Sequence, residues 1–134
     1  RPVLPRFAER GPVLIGFVCS ITTFGLIATV TWGSAILILT PLAALAGVIP
    51  PALQALMSAR VTPERQGALQ GLLTSASALA MVVAPLVMTS VFAAFTSAST
   101  PVYFAGAPFV LSMILSVVAL VVFRRVRINP AHVD

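Results

Sequence analysis

Four polar side chains stand out inside long apolar stretches: Gln54, Gln70, Thr74 and Ser77. An amide or a hydroxyl both donates and accepts hydrogen bonds, so this group could hold a hydrogen-bonding solute without contributing charge. Gln70, Thr74 and Ser77 follow at spacings of four and three, which places them on one face of a helix. Two readings are open for each of them: a hydrogen bond that fastens neighbouring helices, or a place in the lining of a pathway through the membrane. As a group, facing a proline-broken segment that offers Gln54, they favour a substrate cavity. Beside them Gly67, Gly71 and Ser75 recur every four residues, a smooth strip that suits close helix packing.

Bond-making chemistry has no footing in this sequence. His132 stands alone in a polar tail, with no neighbour for nucleophilic or metal chemistry, so no enzyme, cofactor or metal is expected. Cys19 is a single thiol inside an apolar stretch and reads as a small packing residue. The three acids, Glu9, Glu64 and Asp134, all fall outside the apolar runs.

The elements that must position these residues follow from charge and hydropathy. Hydrophobic residues make up 59% of the chain and charged ones 8%, with a mean hydropathy of +1.08, too apolar for a wettable surface around a soluble core. The chain's solvent must include lipid. No formal charge occurs from Gly11 to Ala59 or from Gln66 to Phe123, and each run is long enough for two crossings of about 20 residues. Thr31, Trp32 and Gly33 break the first run, and the stretch from Thr96 to Pro101 breaks the second. Backbone polar groups in lipid must be paired within their own segments, and the absence of strict alternation excludes barrel strands. Helices are therefore expected at 12–30, 34–59, 66–95 and 102–123, giving an all-α, four-helix membrane protein.

All eight basic residues are arginine, clustered as Arg1, Arg6 and Arg10, as Arg60 and Arg65, and as Arg124, Arg125 and Arg127. With four crossings the three clusters share one side, expected to be cytoplasmic, and Trp32 and Tyr103 lie at the opposite interface. Such separated clusters do not form the basic face that nucleic acid requires. The second helix contains Pro41, Gly47, Pro50 and Pro51, so a bend or loosening is expected around Ala46 and Gly47. The third opens with Thr62, Pro63 and Glu64, an N-cap pattern, and later meets Pro85, which like Pro50 and Pro51 is expected to break its helix. The first and fourth helices are plainer and suit a scaffold, with Ser112 and Ser116 free to bond back to their own helix.

The stretch Pro51–Ser58, PALQALMS, followed by Arg60, Pro63, Glu64 and QGALQG from Gln66 to Gly71, resembles the tetracycline-resistance branch of the major facilitator superfamily. Ala84, Pro85 and Leu86 are similar to that branch's Gly-Pro-Leu, and Arg6–Gly11 resembles its basic loop between helices eight and nine. The resemblance implies helices nine to twelve of a twelve-helix proton-coupled drug exporter in a bacterial inner membrane. The chain, which opens without Met on a loop-like stretch, is on this reading a single four-helix piece of a longer polypeptide. It further implies Gln54, Gln70, Thr74 and Ser77 as cavity residues, and Arg60, Glu64, Arg65 and Gln66 as elements of a cytoplasmic gate. Its implied partners are lipid, the remaining transporter helices, protons and a small drug or metabolite. The branch's membrane-embedded aspartate in helix nine corresponds here to Ser20, so a proton-coupling carboxylate would come from elsewhere in the transporter. A broader multidrug or metabolite exporter fits equally well. The competing readings are a complete four-helix transporter working as a dimer, which would need an ionisable residue within the membrane, and a non-transporting anchor, accessory subunit or remnant.

Overall fold

A computed structural model describes residues 4–30, 32–97, 101 and 103–126 of the chain. Arg1, Thr31, the stretch 98–100, Val102, Arg127 and His132, all used above, lie outside the described residues, as does Asp134. Five α-helices follow in order: α1 (Leu4–Thr29), α2 (Gly33–Ala46), α3 (Ile49–Ser58), α4 (Gln66–Thr96) and α5 (Ala107–Arg125), with a one-turn 3₁₀ helix at Pro63–Arg65. Four stretches are long and apolar enough to cross a membrane: α1 from Arg10, α2 and α3 together, α4, and α5. No strand occurs among the described residues. The described residues form an all-α membrane segment with four candidate spans.

Three boundaries differ from the sequence expectation. The first helix starts at Leu4 and carries Pro12 in its interior, because membrane helices tolerate a missing amide donor where neighbouring groups supply the balance. The second span is two helices, divided at Gly47 and Val48 by a turn in which Gly47 N–H donates to the Ala44 carbonyl (3.1 Å) and Val48 N–H to that of Leu45 (3.3 Å). Pro50 and Pro51 stand in the first turn of α3, where a helix has no use for their missing N–H groups. The last helix starts at Ala107, five residues later than expected, since Pro108 in its first turn fixes the start more strongly than the apolar residues before it.

Packing is organised around α1, which lies antiparallel to α5 along its length and also touches α2 and α3. Toward one end Val13, Phe17 and Leu56 form the buried core, flanked by Ile49, Ala52, Leu53, Leu120 and Phe123. The Phe17 and Phe123 rings stand 6.2 Å apart at 42°, and the Arg10 guanidinium lies 6.0 Å from the Phe123 ring centre, a cation–π contact. At the other end Gly106 sits so tightly against the Ala28 backbone that a Cβ there would collide with the Ala28 carbonyl. Gly16 admits Ile49 of α3 in the same way, since an added Cβ would fall 2.5 Å from Ile49 Cγ1. By contrast α4 has no buried residue, and within this chain it rests lightly on α5 and on the 3₁₀ turn.

Pro85 does not end or divide α4, which runs unbroken over 31 residues. At 1.5 Å per residue it is about 46 Å long, against about 30 Å of hydrocarbon, so it tilts or extends past the membrane boundary. The hydroxyl of Thr89 donates to the Pro85 carbonyl at 2.7 Å, and that of Ser90 to the Leu86 carbonyl at 2.7 Å, so both are satisfied within the helix.

Candidate substrate-cavity wall

The α3–α4 hairpin brings together two of the four cavity candidates. Gln54 Nε2 on α3 donates to Gln70 Oε1 on α4 at 3.0 Å. One turn nearer the loop, Gln66 Nε2 donates to the Ser58 carbonyl at 3.1 Å, and the Ser58 hydroxyl lies 3.4 Å from Gln66 Oε1. These side-chain contacts join α3 and α4 where apolar packing between them is sparse. The remaining two candidates, Thr74 and Ser77, are exposed on the same face of α4, and neither forms a hydrogen bond among the described residues.

Depth separates the members of the set. Counting from the start of α4, Gln70 lies about 6 Å along the helix, Thr74 about 12 Å and Ser77 about 17 Å, so the glutamine pair is near the loop and the hydroxyls lie one to two turns farther along. The Gly47–Val48 turn lies about as far from the end of α3 as Ser77 does from the start of α4. Two spans therefore offer a helix break and free hydroxyls at a common level, with amides between that level and the loop. The arrangement is neutral: it can hold a solute rich in hydrogen-bonding groups, and it supplies no charge of its own.

The loop holds the other candidates. Arg60 donates from its guanidinium to the Leu56 carbonyl at 2.7 Å, closing the C-terminal turn of α3, where a cation also suits the helix dipole. Thr62 is in extended backbone ahead of Pro63, and the nearby backbone amide, with the Thr62 side chain behind it, holds the Glu64 carboxyl below its ordinary range. Arg65 closes the 3₁₀ turn, its N–H donating to the Thr62 carbonyl at 2.9 Å, and Gln66 begins α4. Glu64 is fully exposed. Gly67 and Gly71 have nothing within 4 Å of an added Cβ, and Ser75 is exposed, so the helix expected on that strip is not an element described in this chain.

A second polar seam escaped sequence reasoning. Ser20 is buried on α1 with its hydroxyl 3.3 Å from that of Ser116 on α5, and Ser116 in turn donates to the Ser112 carbonyl at 2.9 Å. Ser112 donates to the Pro108 carbonyl at 3.0 Å and reaches Met88 Sδ of α4 at 4.0 Å. Thr23, one turn beyond Ser20, is 3% exposed and its hydroxyl has no partner. The three-residue spacing of Ser20 and Thr23 was the available signal, though a short-period pair of hydroxyls does not say which distant helix it faces.

Hydrogen-bonded amides between apolar helices, a span divided ahead of two prolines and no buried charged side chain among the described residues define a polytopic helical membrane protein. Comparison with known proteins narrows this. The chain is 36% identical over 124 residues to tetracycline resistance protein class G of Vibrio anguillarum and 33% identical over 124 residues to the class C protein of Escherichia coli, in each case 92% of this chain and 30% of the relative. It is 33% identical over 90 residues to the class B protein of Escherichia coli, 67% of this chain and 22% of the relative. The chain belongs with the tetracycline resistance proteins, in their branch of the major facilitator superfamily, and spans about 30% of the length of the curated relatives it matches. No protein-family model matches the chain, and no solved structure gives a significant match.

Proposed function

We propose that this chain forms one wall of the substrate cavity in a secondary transporter that exports drugs or small metabolites. The observation that carries the reading is the Gln54–Gln70 hydrogen bond, which joins a proline-broken span to a polar-faced one within the α3–α4 hairpin. On this reading α1 and α5 are the scaffold, their long mutual seam holding α3 in place, while α4 offers Gln70, Thr74 and Ser77 to the solute. The four spans correspond to helices nine to twelve of a twelve-helix protein. Sequence identity to proteins named for tetracycline resistance supports a drug as the solute.

Transport proceeds by alternating access, two halves of the protein rocking about a midplane site, with proton entry driving solute exit. The coupling carboxylate belongs to the rest of the transporter, because Ser20 occupies the place of the family's aspartate and is packed against Ser116. The arginine-bearing ends and the Arg60–Gln66 loop face the cytoplasm of a bacterial inner membrane, and the loop, tied down by Arg60 and Gln66, acts in the cytoplasmic gate. In the native polypeptide carrying this chain, Gln70→Leu is expected to lower export at least several-fold, whereas Ser112→Ala leaves it near the starting level. Equal and negligible effects in a vesicle export assay would remove Gln70 from the cavity.

A further inference from the structure

The two closed contacts of the α3–α4 hairpin keep a strict register. Ser58 meets Gln66, and four residues farther from the loop on each helix Gln54 meets Gln70. Another step of four brings Pro50 level with Thr74, and the next brings Ala46 level with Ala78. Beyond the second contact the helices part: Thr74 and Ser77 are exposed, and an added Cβ at Gly71 would meet nothing.

At the level of this opening the second span has acceptors without donors. In a continuous helix each carbonyl accepts from the N–H four residues on and points toward it. Pro50 and Pro51 have no N–H, so the Ala46 and Gly47 carbonyls receive no helical bond. The turn bonds at the break end instead on the Ala44 and Leu45 carbonyls. The freed carbonyls thus point to the level of Thr74, with Ser77 one turn beyond. Two hydroxyl donors on one helix are matched by two carbonyl acceptors on the other. Gly67, Gly71 and Ser75 each follow a member of the polar face by one position, so small groups line one flank and leave room for approach.

We propose that the α3–α4 hairpin is a hydrogen-bond zipper with its two loop-side rungs closed and its two inner rungs open, and that closing the inner rungs shuts the space between the spans. In the closed form the Thr74 and Ser77 hydroxyls donate to the Ala46 and Gly47 carbonyls, and the glycine strip lets α4 lie flush against the break. The unpaired carbonyls, costly in lipid, supply the preference for closure when no solute fills the opening. The inference rests on the rung register and the proline positions, independently of which solute is carried.

The test is the distance distribution between spin labels at Ala46→Cys and Ala78→Cys, in the native polypeptide freed of other cysteines and reconstituted in lipid vesicles. Two populations are expected, and Thr74→Val with Ser77→Ala should reduce the shorter one roughly three- to tenfold, the scale of two hydrogen bonds within a membrane. Pro50→Ala with Pro51→Ala, which returns donors to the same carbonyls, should reduce it comparably, while Thr74→Ser and Ser112→Ala preserve it. A single population, or a short one that persists in either double variant, overturns the zipper. Populations that shift as expected while export ignores Gln70→Leu leave the zipper standing and remove the cavity assignment.

Discussion

At the residue level, the α1–α5 seam makes opposite demands at neighbouring positions. Thr23 keeps a buried hydroxyl with no partner, a group whose desolvation costs about 1–3 kcal/mol when nothing compensates. Thr23→Val preserves the shape and removes the orphan, so the midpoint of thermal unfolding in detergent should rise. Gly106 is the reverse case, since any side chain enters the Ala28 backbone. Gly106→Ala should lower the same midpoint, by an overpacking cost of about 1–3 kcal/mol. Gly106 left no signal in the sequence, and the spacing of Thr23 from Ser20 marked a polar face without saying which distant helix it meets. Gln54 and Gln70 were legible as polar residues in apolar runs, yet their direct bond depends on a hairpin register that single-helix spacing does not contain.

Among the elements, burial is strongly uneven. α1 holds most of the buried side chains and α4 holds none, so the two differ in how much local packing opposes opening. Amide hydrogen exchange in lipid nanodiscs should show α1 and α5 among the slowest segments and the Gly47–Val48 turn among the fastest within the membrane. Equal protection on both sides of that turn would mean that the second span behaves as one continuous helix. The apolar lengths and the arginine positions fixed the number of spans in advance. Their ends were less legible because the effect of a proline depends on its position: Pro12, Pro41 and Pro85 are accommodated inside α1, α2 and α4, whereas Pro50, Pro51 and Pro108 stand in first turns and mark where α3 and α5 begin.

For the molecule as a whole, the distribution of charge sets the orientation to be tested. Cysteines placed at Val61 and beside Tyr103 should react with a membrane-impermeant thiol reagent from opposite faces, Val61 only after the cytoplasmic side is opened. Labelling of both from outside would reverse or abolish the proposed topology. An antibody raised against the C-terminal tail should detect a polypeptide about three times the 13.9 kDa of this chain, the proportion set by its 30% coverage of the class G and class C relatives. Fold class and membrane character were readable at this scale because composition alone forbids a soluble surface; the solute was not, because neutral amides and hydroxyls accept many hydrogen-bonding molecules alike.

The seam between α1 and α5 is pinned at both ends, by Arg10 and Phe17 on Phe123 at one and by Gly106 on Ala28 at the other. Within this chain the α1–α5 face is thus fastened along its whole length, so a push applied at one end is carried to the other. The α3–α4 crease, by contrast, is fastened only at its loop end by the Ser58–Gln66 and Gln54–Gln70 contacts and can hinge there.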